Sequence, residues 1–197
     1  DTLRSIWASI EGERFWMNLH GLIVPEQQTR RRTIGHSHVL APDMRPPDKA
    51  LPIVHKLTQK AATRLRKEGY LAGDLHLHMR YQHNQQSWES AMHFEHSNDS
   101  LFFAKVIQML WKKRPFPQAR LLQVGIHLSD LLEQTNYTPS LFAQETSSRK
   151  QLNKALDSIR DKHGQRSIHL ACEQDGMSAA PMRIAFGHIP DITCENR

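Results

Sequence analysis

At 197 residues with 39% hydrophobic content, the chain suits one core-forming domain plus appendages, and no stretch reaches the uncharged apolar length of a membrane-spanning helix. It starts with Asp1 and Arg4 rather than a signal-peptide pattern, so a cytoplasmic location without a membrane partner is expected. The formal charge of +6 is uneven: residues 29–69 hold ten Lys/Arg against Asp43, Asp48 and Glu68, a local surplus of +7 that favours a polyanionic partner. Cys172 and Cys194 stand at no zinc-finger or redox spacing, which argues against a disulfide scaffold or a Cys-based metal site and leaves them as free thiols.

Residues 2–19 place Leu3, Ile6, Ile10, Phe15 and Leu19 at mostly helical spacing, with Trp7 and Trp16 nearby, and stop at His20-Gly21. A chain that opens on Asp1 and is helical almost at once reads as a fragment of something longer. Residues 21–32, with Pro25, Gln27 and Gln28, form a linker ending in Arg30, Arg31 and Arg32. Three guanidiniums followed by the small residues Thr33 and Gly35 suit the lip of a nucleic-acid groove: arginine takes phosphate bidentately, and small residues let phosphate approach backbone N–H groups.

From Thr33 the pattern changes. Ile34–Leu40 is predicted as a strand; Pro46-Pro47 then starts a helix running to about Lys67, with Leu51, Val54, Leu57, Ala61 and Leu65 on its apolar face and Gly69 as its stop. Leu71–Tyr81 alternates, with Leu75, Leu77, Met79 and Tyr81 on one face and Asp74, His76, His78 and Arg80 on the other. Trp88–His96 is its hairpin partner, burying Trp88, Met92 and Phe94. Asn98 or Asp99 caps a second helix, Leu101–Lys113, with a stripe of Phe102, Val106, Met109 and Leu110. The fourth strand, Arg120–Leu128, buries Leu122, Val124, Ile126 and Leu128 and turns Gln123 and His127 outward. The fold class is therefore α+β: a βαββαβ sheet with two helices on one face and the other face open, its first and third strands central.

After Asp130 the chain turns polar around an isolated Ser140-Leu141-Phe142. A short helix follows near Arg149–His163, with Leu152, Leu156 and Ile159 on one side and Gly164 as its stop, then strands at Ile168–Ala171 and Met182–Ile189 in a weakly ordered tail of about thirty residues.

In this register the open face displays His36, His38, His76, His78, Arg80 and His93, joined by Gln123 and His127. A metal site needs three or four imidazoles converging at about 2.0–2.1 Å, whereas cross-strand spacing delivers pairs more readily, so no metal is assigned. Phosphate contact is preferred, with binding that strengthens as pH falls through about 6.5. Exposed polar filler is the plain alternative, which gives way because Arg30–Arg32 stand beside these residues. His93-Phe94-Glu95-His96 lacks the spacing of a zinc protease motif, no phosphate-cradling glycine loop occurs, and no catalytic residue is assigned.

These elements and their local wording resemble the C-terminal part of bacterial Y-family translesion DNA polymerases, namely the end of the thumb plus the little-finger domain. The resemblance spans about residues 1–170. It rests on Arg32-Thr33-Ile34-Gly35-His36 opening the domain, Arg64-Leu65-Arg66-Lys67-Glu68-Gly69 ending its helix, Arg80-Tyr81 ending a strand, and Val124-Gly125-Ile126-His127-Leu128-Ser129 in the last strand. Behind these come Thr138-Pro139-Ser140-Leu141-Phe142, where relatives carry a sliding-clamp motif, and a helix reading Ala155-Leu156-Asp157-Ser158-Ile159-Arg160. Thr138 and Pro139 depart from the clamp motif's Gln and Leu, and histidines replace the usual Arg, Lys or Thr at outward positions.

The resemblance implies residues 1–20 as thumb, 21–32 as basic linker, 33–132 as little finger and 133–197 as tail. It implies a monomeric module that grips primer-template DNA, with Ser140, Leu141 and Phe142 either engaging a sliding clamp or, for Leu141 and Phe142, packing on the domain as linker residues. The catalytic carboxylates and magnesium belong to the palm of the parent nucleotidyltransferase, so no cofactor is expected in this fragment. A small-ligand regulatory βαββαβ domain that dimerises is the alternative, since the element order alone serves both.

Overall fold

The computed structural model describes residues 7, 10–24, 32–83, 86–138, 147–164 and 166–178. The chain divides into two units, Asp1–Arg31 and Arg32–Arg197. In the first, helix α1 (Ile10–Leu19) gives way to His20 and Gly21, whose φ of +69° is the left-handed conformation that ends many helices.

In the second unit, β1 (Ile34–Val39), β2 (Tyr70–Tyr81), β3 (Ser87–Ser97) and β4 (Leu121–Glu133) form one antiparallel sheet in the order β1-β4-β2-β3. The βαββαβ succession is as expected, but the neighbours differ. β4 and β2 are central, whereas β1 and β3, expected at the centre for the first and third strands, are edges. At 13 residues β4 is long enough to pair with β2 along its whole length and with the six-residue β1 over Gln123–Leu128. It continues past the expected end at Leu128, since Leu131 and Leu132 pair with Ala72 and Leu71.

Helix α2 (Pro47–Lys67) begins with proline in its first turn, where the missing N–H costs nothing, and ends before Gly69 at φ +75°. Asp99 caps helix α3 (Ser100–Lys112), its Oδ1 accepting from the Leu101 N–H at 3.1 Å. Ile53, Val54, Ala61 and Leu65 of α2 and Phe103, Val106, Ile107 and Leu110 of α3 share one buried core with Leu75, Leu77 and Met79 of β2 and Val124, Ile126 and Leu128 of β4. The buried phase of α3 therefore includes Phe103 and Ile107, and Met109, expected in its stripe, is exposed. Likewise Leu121 rather than Leu122 is the buried residue opening β4, because the register shifts where Tyr81 pairs with Leu121. Each such large apolar side chain contributes about 1.5–3 kcal/mol on full burial.

The tail is docked through polar groups. In helix α4 (Ser147–His163) the expected apolar residues Leu152 and Ile159 are exposed, while Asn153 and Arg160 are buried. The Arg66 guanidinium donates to both oxygens of Asp157, at 2.6 and 2.8 Å, and also to the Asn98 carbonyl at 2.8 Å. Asn153 donates to Asp99 at 3.1 Å, so the α3 cap is shared with the tail. No strand forms at Ile168–Ala171; a 3-10 helix, Ala171–Gly176, packs on α2 instead, and the Lys56 ammonium donates to the Gly176 and Met177 carbonyls. The expected strand at Met182–Ile189, with the rest of the tail expected to be weakly ordered, lies outside the described residues. Cys172 is a free thiol, and Cys194 lies outside the described residues. Among the described residues no helix is long and apolar enough to cross a membrane.

Candidate nucleic-acid interface

Strand alternation divides the predicted site residues between two faces. β1 pairs Ile34 with Leu128, His36 with Ile126 and His38 with Val124, all on the core side. His36 and His38 therefore belong to the helix-covered face and not to the open one. The error is one of phase: Ile34 buries, and residues two and four further on must follow it. His36 faces the cations Lys60 and Arg64, and its Nε2 is buried without a hydrogen-bond partner. Burial, then these two cations, push its pKa down to about 4, so it is neutral at physiological pH.

The open face is built by the alternate positions. Gly35 of β1 stands opposite His127 of β4; His127 stands opposite His76 of β2; His78 stands opposite Gly125 and Glu89; Arg80 stands opposite Gln123 and Ser87; and Asp74 stands opposite Ser129 and His93. His76, His78, Arg80, His93 and Gln123 thus share a surface in the phase expected, His127 joins them at its centre, and Gly35 takes the place on β1 where His36 and His38 were expected. Gly125 is required there, because a Cβ would lie 2.2 Å from the His78 ring and 2.9 Å from Ser37 Cβ. Arg32 and Thr33 are exposed where the chain enters β1. Arg30 and Arg31 lie outside the described residues, as do Ser140, Leu141 and Phe142.

Sequence reasoning missed how the histidines on and beside this sheet are partnered. His76 Nδ1 lies 3.2 Å from Glu89, His93 Nδ1 lies 2.8 Å from Asp74, and His96 Nε2 lies 3.2 Å from Asp130. The His76 and His127 rings stack at 4.1 Å, and His76 Nε2 is 3.0 Å from the Ser129 hydroxyl. Burial, then His76, hold the His127 pKa below the ordinary histidine value, with Glu89 opposing and His78 adding to the depression. The signal for Glu89 was available: it occupies the exposed phase of a strand whose buried phase Trp88, Ser90 and Met92 define. The α2 cations are likewise more committed than their count suggested, since Arg66 and Lys56 are spent on the tail and Arg64 on Glu68. No Phe, Tyr or Trp occupies the open-face positions of the paired strands, so base stacking as in RNA-recognition modules has no platform there.

Among the described residues the antiparallel sheet is backed by two helices on one face and left uncovered on the other, which carries imidazole, amide and guanidinium groups and no catalytic constellation. Residues 31–141 match the impB/mucB/samB family C-terminal domain, and the chain belongs to that family. This bears out, at that level, the resemblance to the C-terminal domain of Y-family DNA polymerases. A solved structure described as a Y-family DNA polymerase chimera Dbh-Dpo4(243-245)-Dbh is similar over 67% of this chain at 13% identity and a TM-score of 0.42. The chain spans 38% of that structure's length. No curated protein matches the chain.

Proposed function

We propose that residues 32–178 form the DNA-holding module of a bacterial Y-family polymerase used in translesion synthesis and damage tolerance, gripping primer-template phosphates without reading bases. The observation that carries this reading is the sheet face left uncovered among the described residues, with Arg80, Gln123 and four imidazoles within one surface, entered from the exposed Arg32 and Thr33. The edge position of β1 supports it further, since among the described residues one row of its backbone groups has no neighbouring strand. Grip is divided between the face and the arginine run, because on the paired open-face positions Arg80 is accompanied by the carboxylates Asp74 and Glu89.

In the intact protein the activity would be template-directed nucleotidyl transfer with magnesium. The carboxylates on this face do not fit that ion, since Asp74 and Glu89 are each bonded to an imidazole and magnesium takes oxygen ligands in octahedral geometry. No catalytic step is assigned to these residues.

The test is binding to a fluorescent primer-template duplex across a salt series, comparing the chain with a variant in which Arg30, Arg31 and Arg32 are all alanine. Affinity should fall steeply with salt and be indifferent to sequence, with the triple variant shallower in log K against log salt by up to about 2.7, or about 0.9 per lost phosphate contact. Absence of duplex affinity at low salt, together with a dimer that forms on adding a small ligand, would replace this reading with the regulatory-domain one.

A further inference from the structure

At the centre of the open face, two of its four imidazoles converge with a carboxylate, a donor set that suits a cation. His76, Glu89 and His127 come from three adjacent strands, and their donor atoms all lie within 4.8 Å of one another. We propose that His76 Nδ1, Glu89 and His127 form a binding site for a divalent transition-metal ion of the zinc type, with an open fourth position.

Three features of the geometry support it. The His76 Nδ1 to Glu89 Oε1 distance is 3.2 Å, close to the edge of a tetrahedron with metal–ligand bonds of about 2.0–2.1 Å, which is roughly 3.3 Å. The other nitrogen of His76 is already held by the Ser129 hydroxyl at 3.0 Å, the arrangement that fixes tautomer and ring orientation in metal-ligating histidines. His127 stands directly across the strand pair from His76 with a donor atom within 4.8 Å of the other two, and turning its ring out of the 4.1 Å stack on His76 brings its in-plane lone pair to the shared ion.

The donor chemistry also selects the ion. Two imidazoles and one carboxylate suit zinc, nickel or ferrous iron over magnesium and calcium, which take oxygen. The second cluster on this sheet, Asp74, His93 and Asp130, offers a single imidazole, and His93 is 76% exposed, so it is the weaker binder. It serves as an internal control.

The test is isothermal titration of the untagged full chain with Zn²⁺, paired with the visible absorption of its Co²⁺ complex. One saturable site per chain and a tetrahedral-type cobalt spectrum are expected. Zn²⁺ affinity should drop at least about tenfold in His127→Ala and Glu89→Gln, drop about tenfold in Ser129→Ala, and be unchanged in His93→Ala. Glu89 is largely exposed, so its variant stays folded even if the His127 variant does not. No saturable Zn²⁺ uptake, or uptake that survives Glu89→Gln and is lost with His93→Ala, would overturn the assignment.

Discussion

Replacing His36 by leucine should remove an acid-sensitive element from the fold. The imidazole sits on the core side of β1 facing Lys60 and Arg64, and its pKa in the folded chain is about 4 against 6.5 for an unperturbed histidine. Between those values the unfolded chain takes up a proton that the folded one refuses, so stability is complete above pH 6.5 and is lost as pH falls toward 4. For a group with these two values the loss at pH 5 is about 2 kcal/mol, approaching about 3 kcal/mol below pH 4. In the variant that part of the acid sensitivity disappears. At pH 8 its stability should lie within about 1 kcal/mol of the parent, because the substitution discards a buried nitrogen that has no hydrogen-bond partner. Urea unfolding of both proteins from pH 4.5 to 8 measures this directly, and thermal melts at pH 5 should separate them by roughly 4–8 °C. His55, also lowered by burial, contributes its own acid sensitivity to both curves, so the difference between them isolates His36. Parallel stability profiles for the two proteins would refute the reasoning.

Three further outcomes follow from other contacts. Asp157→Ala breaks the bidentate pair with Arg66 and should cost about 2 kcal/mol in urea unfolding, with a coupling to Arg66→Ala of about 1 kcal/mol or more in a double-mutant cycle; near-zero coupling would show that the pair does not hold the tail. Gly176→Ala places a methyl group 2.7 Å from the Pro52 carbonyl carbon, backbone that cannot yield, and should cost about 1–3 kcal/mol and make the tail more susceptible to limited proteolysis. Arg80→Ala, removing the one guanidinium among the paired open-face positions, should weaken duplex binding equally for unrelated sequences and flatten the salt slope by about 0.9; a sequence-dependent loss would mean that Arg80 reads bases.

Much of this was legible in the residues because burial and period agreed. β2 alternates without interruption from Leu75 to Tyr81, and Pro46-Pro47 and Gly69 bracket α2, so those elements stand where the pattern puts them. Where two phases competed, pattern reading slipped. β1 is six residues with a single fully buried side chain, Ile34, and its histidines look like surface residues, so its phase rested on one position. α3 carries adjacent Phe102 and Phe103, and the choice between them misplaced part of the stripe: Val106 and Leu110 are buried as expected, while Phe103 and Ile107 complete it and Met109 does not. The tail failed for a different reason: it docks through Asn153, Asp157 and Arg160, and no hydrophobic period announces polar docking. In the candidate interface, the positions on β2 and β4 were readable from alternation, but the carboxylates paired with their histidines required the cross-strand register.

The place of β4 between β1 and β2 has a consequence for how the molecule is made. Ile34 pairs with Leu128, nearly the whole domain later in sequence, so β1 has no strand partner until the last strand has emerged and returned. Closing so long a loop is entropically slow, whereas the β2–β3 hairpin needs only neighbouring residues. Pulse-labelled hydrogen exchange during refolding should therefore find β2 and β3 amides protected first and β1 amides last. A chain released from synthesis before β4 is complete would expose both flanks of an unfinished sheet and be prone to aggregation.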